Sequence, residues 1–220
     1  MNKFILGDCM EYMKDMADNA FELAIVDPPY SDTFTIAAAD KAAKVKNYNL
    51  ESLQGAPGDD YFNELKRVSK NQIIWGVNYY KYWLGVGRIV WDKDNTGVYS
   101  DCELAYHSFG NVIRKFTFRW NGMLQGNMKD KEIRIHPTQK PVALYRWLLK
   151  NYAKPGDKIL DTHVGSASSL IACYQMGFEY LGFEIDEEYY NKAVERLEQV
   201  KAQASIFDLG VSHFTAEKNL

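Results

Sequence analysis

The sequence predicts an α/β fold in which a mostly parallel sheet carries helices on both faces. Two observations lead there. Short apolar runs of strand length alternate with runs of helical period, and near the C-terminus one unit reads strand, glycine turn, helix, strand. In chain order, FILG (4–7) is the first strand, 8–17 the first helix and ELAIV (22–26) the second strand. Residues 31–58 have no clean period and end in the Gly55, Pro57, Gly58 cluster, so they read as a long functional or mobile loop. A helix at 60–69 precedes the strands QIIWGV (72–77) and RIVW (88–91). Pro141 opens the helix 141–153, at the position where a missing N–H costs nothing. KIL (158–160), the helix 167–177 and YLGFEI (180–185) form the βαβ unit. Asp186 is the expected N-cap of the last helix, 187–203, whose buried stripe is Ala193, Leu197 and Val200.

A chain of 220 residues and 25.3 kDa fits one domain with a core of its own. It is 46% hydrophobic and 25% charged, and no apolar stretch approaches the roughly 18 residues of a membrane span, so no membrane partner is expected. Asp8, Glu11 and Asp15 fall where a signal peptide needs an apolar core, which predicts a cytoplasmic location. Cys9, Cys102 and Cys173 are far apart and form no Cys-x-x-Cys, against both a disulfide framework and a zinc site. His107, His136, His163 and His213 also lack ligand spacing, and no metal is expected.

The net charge of −3 is unevenly spread. Residues 1–110 hold 11 Lys and Arg against 16 Asp and Glu, residues 111–150 hold 9 against 2, and residues 151–220 hold 6 against 11. The middle segment is therefore +7 within a body of −10. In it Arg114, Lys115, Arg119, Lys129, Lys131 and Arg134 are interleaved with Phe116, Phe118 and Trp120. Basic side chains among aromatics suit a phosphate backbone and unstacked bases, while a solvated hairpin with its aromatics in the core fits equally well.

Two sites carry chemistry. In the βαβ unit, Gly165 lets the loop backbone approach a ligand, and Glu184, 19 residues on at the end of the next strand, is placed to accept hydrogen bonds from a ribose diol. No G-x-G-x-x-G is present, so a nucleoside without a pyrophosphate fits better than a dinucleotide. The second site follows ELAIV, where Asp27, Pro28, Pro29 and Tyr30 form a turn whose prolines supply rigid carbonyl acceptors and no donors. Acceptors beside an aromatic face suit a planar exocyclic amino group whose ring stacks on Tyr30. A proline-stiffened strand end with a capping Asp is the plainer alternative.

Asp27-Pro28-Pro29-Tyr30, followed much later by Asp161-Thr162-His163-Val164-Gly165-Ser166, resembles the amino-group DNA methyltransferases that use S-adenosyl-L-methionine. The order, with the tetrapeptide first and the cofactor motif last, resembles their circularly permuted beta class. LGDCMEYM, IIWGVNYY (73–80), WDK, DCELAY (101–106) and HPTQKPVAL (136–144) extend the likeness over nearly the whole chain. The resemblance implies a Rossmann-like fold with a catalytic half at 1–106, a small basic target-recognition insertion at 107–135, a cofactor half at 136–204 and a tail at 205–220. It implies Glu184 on the cofactor ribose, Ile185 on its adenine and Asp8 on the adenine amino group. Asp161, Gly165 and Ser166 would line the methionine part, with Thr138 and Lys140 near its carboxylate; Lys140 fits a DNA phosphate equally well. Thr162, His163 and Ala167 stand where the family has Pro, Phe and a second Gly. His163 is expected to pack flat against the cofactor, and the Ala167 methyl to narrow the loop.

The expected function is methylation of adenine N6 in DNA with base flipping, as in restriction-modification systems. Asp27 and the Pro28 carbonyl would each accept an N6 hydrogen while the flipped base stacks on the Tyr30 ring, so loss of the Tyr30 hydroxyl alone should be mild. Cytosine N4 methylation, an RNA substrate and a DNA-binding relative without turnover are the alternatives. The short insertion predicts a brief recognition sequence, with loop 31–58 ordering on DNA or a homodimer sharing the duplex.

Overall fold

The computed structural model describes residues 1–30, 55–95, 100–121 and 124–216, with backbone alone from 205 onward. The expected loop at 31–58 therefore lies outside the described residues up to position 54. An eight-stranded sheet organises the chain. Its strands are β1 (Asn2–Leu6), β2 (Phe21–Val26), β3 (Ser69–Trp75), β4 (Arg88–Asp92), β5 (Cys102–His107), β6 (Ile113–Thr117), β9 (Lys158–Asp161) and β10 (Glu179–Glu184), in the order β1-β10-β9-β2-β3-β5-β4-β6. Only β5 runs against its neighbours. A separate two-residue ribbon pairs β7 (Trp120–Asn121) with β8 (Leu124–Gln125). The helices are α1 (Cys9–Met13), α2 (Asp59–Val68), α3 (Val142–Tyr152), α4 (Ser168–Met176) and α5 (Glu187–Ala216).

Period-two alternation sends each strand's side chains to two core layers. Leu23, Ile25, Ile73, Trp75, Ile89, Ala105 and Ile159 face a layer completed by α3, α4 and α5 through Leu144, Leu148, Ile171, Ala193 and Leu197. Ala24, Val26, Ile74, Leu160 and Phe183 face the opposite layer, where α1 and α2 supply Met13, Tyr61, Phe62 and Leu65. Helices thus cover both faces, as the sequence predicts.

The helices follow their sequence signals with two differences. Asp186 Oδ1 accepts from the N–H groups of Glu188 (2.9 Å) and Tyr189 (3.0 Å), which makes it the N-cap of α5. That helix continues past the expected end at 203 to Ala216, so the expected tail at 205–220 is helical to that point. No proline interrupts it, and Gly210 costs only about 1 kcal/mol. The helix expected over 8–17 stops at Met13, because Arg67 of α2 takes the carbonyls of Met13 and Met16, each at 2.7 Å. Strands β5 and β6 carry weak signals: β6, IRKFT at the sheet edge, is mostly exposed and has no apolar face to read. Among the described residues, no helix is long and apolar enough to cross a membrane.

Candidate active site

From the centre of the sheet the chain winds outward in both directions, β2 to β3 on one side and β9 to β10 on the other. The carboxyl ends of these strands bound a crevice at that switch point, the usual ligand site of such sheets. About 930 Å³ of open space lies there, lined by residues that follow four strands. Gly7 and Asp8 follow β1, Asp27 to Tyr30 follow β2, Thr162 to Ser166 follow β9, and Glu184 and Ile185 close β10. His136, Thr138, Gln139, Lys140 and Tyr145 line it from the segment entering α3. The two sites that the sequence separates by more than a hundred residues are one cleft.

On the tetrapeptide side, Asp27 is held at both carboxylate oxygens. The Tyr30 hydroxyl donates to Oδ1 at 2.5 Å, and Lys140 Nζ donates to Oδ2 and, at 2.8 Å, to the Tyr30 oxygen. The hydroxyl of Tyr30 therefore joins Asp27 and Lys140 in one hydrogen-bonded cluster. Lys140 is 2% exposed and also pairs with Glu103 at 3.1 Å, and Glu103 pairs with Lys93 at 2.6 Å. Burial raises the Asp27 carboxyl against the pull of Lys140. Burial also works against the Lys140 ammonium, but Asp27 and Glu103 outweigh it and hold it above its usual range. Burial would raise Glu103 as well, yet Lys140 and Lys93 bring its carboxyl down to about 2. Lys140, expected at a cofactor carboxylate or a phosphate, is instead the buried counter-ion of the tetrapeptide.

The Pro28 carbonyl accepts from the Tyr80 hydroxyl at 2.9 Å, leaving one lone pair open. The Tyr30 ring stacks on Tyr79 at 5.0 Å and lies so close to Gly76 that a Cβ there would come within 2.3 Å. Gly76 has φ +76, so glycine is required on both counts.

On the loop side, Glu184 Oε2 accepts from the Gly165 N–H at 2.8 Å, and Oε1 from Ile185 and Asp186, both at 3.0 Å. Burial raises its carboxyl against these bonds. Asp161 does not line the cleft. It is buried, accepts from the His163 N–H at 3.0 Å and from the Ser169 hydroxyl, and so shapes the loop from beneath. Burial pushes its carboxyl up to about 7. Thr162 is braced by Tyr61 of α2 at 2.6 Å, and Ser166 by Arg196 of α5, which donates to its carbonyl at 2.6 Å. Burial keeps His163 neutral, with a pKa of about 4. Ile185 stands 60% exposed at the mouth. Asp8 caps α1 through Met10 N–H at 2.9 Å. Ala167 is fully buried in the core layer of α3 to α5 and lines no part of the cleft. Its methyl does not narrow the loop; its departure from glycine is met in the backbone, at φ 62, where a side chain costs roughly 1–2 kcal/mol.

The basic segment is less basic in space than along the chain. Lys115 pairs with Asp92 at 3.2 Å and Arg119 with Asp94 at 2.5 Å, both acids coming from β4 and its end. Arg134 lies over the Trp120 ring at 4.6 Å. Trp120 is buried, donating to the Gln139 carbonyl at 2.8 Å, and Phe116 and Phe118 pack against the core. Trp120 is thus committed to the core, and Phe116 and Phe118 are half-buried against it. Arg114, Lys129 and Lys131 are exposed and form no ion pair among the described residues.

Lys93, Glu103 and Lys140, from WDK, DCELAY and HPTQKP, form one network behind Asp27, in which Lys140 pairs with Asp27 and Glu103, and Glu103 with Lys93. Period-two alternation is the sequence signal that places them: Glu103 shares the face of Ala105, as Asp161 shares that of Ile159.

A family model described as DNA methylase, covering N6 and N4 amino-methyltransferases, matches residues 39–195. The chain belongs to this family. It is a DNA methyltransferase with S-adenosyl-L-methionine as its cofactor. YubD of Escherichia coli (strain K12), a methylase by name, is 26% identical over 226 residues, covering 91% of this chain and 92% of that one. The type II methyltransferase M.HinfI of Haemophilus influenzae is 23% identical over 265 residues, covering 95% of this chain and 72% of its own length. The crystal structure of the M1.HpyAVI–SAM complex shares the fold, with a TM-score of 0.56, 19% identity and coverage of 89% of this chain and 100% of that one.

Proposed function

We propose that this methyltransferase acts on adenine N6 in DNA. The observation that carries the reading is Asp27 at the head of the Pro28-Pro29 turn, facing the cleft and paired with Lys140. Cleft and cofactor fit in kind. Glu184 and Gly165 would hold the ribose, Ile185 the adenine face and Asp8 its amino group, with Ser166, His163 and Thr138 along the methionine part. Asp161 acts from behind by fixing the loop.

When bound, the cofactor supplies an electrophilic methyl group on sulfur. This chain's residues prepare the acceptor. The target base, unreachable inside a duplex, is flipped into the cleft, where Tyr30 and Tyr79 offer aromatic surface. Asp27 and the open lone pair of the Pro28 carbonyl accept the two amino hydrogens, which draws the nitrogen lone pair out of the ring and aims it. Asp27 takes up the proton the nitrogen sheds as the new N–C bond forms. Lys140, Glu103 and Lys93 hold Asp27 in place.

Arg114, Lys129 and Lys131 are the phosphate contacts in this reading, with Lys115, Arg119 and Arg134 secondary because they are already engaged. The catalytic half is 1–106, the recognition insertion 107–135 and the cofactor half 136–204. So small an insertion favours a short recognition sequence or a homodimer sharing the duplex. Digestion of DNA from expressing cells to nucleosides, with mass spectrometry, tests the base. N6-methyldeoxyadenosine supports the reading, and N4-methyldeoxycytidine replaces it with cytosine methylation, which presents the same two hydrogens to Asp27.

A further inference from the structure

Tyr145 has no place in the account so far. It sits on the first turn of α3, is 6% exposed and lines the cleft. Its hydroxyl makes no hydrogen bond among the described residues, and the residue lines the cleft. A phenol with no protein partner at the edge of a cleft leaves its hydroxyl for whatever occupies that cleft.

Its position follows from alternation. Ile25 and Ile159 face α3 from the neighbouring strands β2 and β9, and Asp27 and Asp161, two residues further along each, belong to the same face. Tyr145 packs in that layer, beneath the point where the tetrapeptide and the glycine loop meet. Of the acids around it, Asp27 is balanced by Lys140 and Glu103 by Lys140 and Lys93, whereas Asp161 has no cation beside it among the described residues. Burial, then Asp27, Asp161 and Glu103, push the phenol well above its usual range, so it stays a neutral hydroxyl with lone pairs to offer.

We propose that Tyr145 contacts the cofactor, its phenolic oxygen facing the sulfonium centre and the methyl group about to move. This rests on the methyltransferase reading above and deepens it. An oxygen lone pair toward a cationic S–CH3 group makes C–H···O contacts that the uncharged thioether product lacks. Tyr145 thus favours S-adenosyl-L-methionine over S-adenosylhomocysteine and helps release the product.

Calorimetry of wild type and Tyr145→Phe with each ligand, together with ligand-free thermal melts, tests it. The variant is expected to bind S-adenosyl-L-methionine about two- to five-fold more weakly and S-adenosylhomocysteine unchanged. Its ligand-free Tm should be equal or higher, since the deleted hydroxyl bonds to nothing. Equal affinity of both proteins for S-adenosyl-L-methionine overturns the proposal. So does an equal loss for both ligands, which would put the hydroxyl on the amino-acid part they share. A wild-type protein that binds neither ligand would sink the methyltransferase reading itself and this inference with it.

Discussion

Lys140→Met keeps the length and apolar stem of the side chain and deletes its charge. The lysine is 2% exposed and Asp27 14% exposed, so this pair lies in the interior, where removing one partner costs about 3–5 kcal/mol. Glu103 retains Lys93 at 2.6 Å, so the loss falls on Asp27, left with the Tyr30 hydroxyl. Against a total stability of roughly 5–15 kcal/mol this is a large fraction, and for a chain of this size Tm should fall by about 6–20 °C. The sign for activity follows from Asp27. Burial already raises its carboxyl and Lys140 opposes that, so the variant's Asp27 holds a proton to higher pH and accepts only when that proton is gone. Urea melts and a pH–rate profile of DNA methylation read both effects: lower stability, and an acid limb of activity displaced upward. Adding Asp27→Asn to Lys140→Met removes the orphaned charge and should restore much of the stability, though no activity. A loss below about 1 kcal/mol with an unmoved pH profile would mean that the pair behaves as a solvated one, and the reasoning fails.

Other expectations follow from the same geometry. Tyr30→Phe loses the hydrogen bond that fixes Asp27, a charge-assisted bond of about 1.5–3 kcal/mol, so turnover should drop roughly 10- to 100-fold; a variant within threefold of wild type would restrict Tyr30 to its ring. Asp161 has a folded pKa of about 7 against an ordinary 3.8, so the folded chain binds that proton more tightly than the unfolded chain does. The stability it confers is complete below about pH 4 and is lost as pH rises to about 7; Asp161→Asn, whose amide oxygen can accept from the His163 N–H while its NH2 donates to the Ser169 hydroxyl, should flatten urea-measured stability across that window, and an unchanged slope would contradict the assignment. Neutralising Arg114, Lys129 and Lys131 together should lower the salt slope of DNA binding by about 2–3, since each phosphate contact contributes roughly 0.9. Neutralising Lys115 and Arg119 should change it by less than one, and the reverse result would show that their pairs with Asp92 and Asp94 open on DNA.

By itself the sequence determined the kind of fold and many of the residues that line its cleft. Strand-length apolar runs ending in Asp27 and in Asp161, with Gly165 and Glu184 at their spacing, required only local rules: period two, proline stiffness and a turn that admits no side chain. The tertiary structure decided what surrounds those groups. Lys140 is 113 residues from Asp27 and becomes its counter-ion only because α3 packs over β2, and Lys115 and Arg119 lose their apparent freedom because parallel pairing sets β6 beside the acids of β4 and its end. The charge that Lys140 carries is the same in both descriptions, but its role is not. Coulomb interaction depends on distance and burial, and a chain written in a line shows neither.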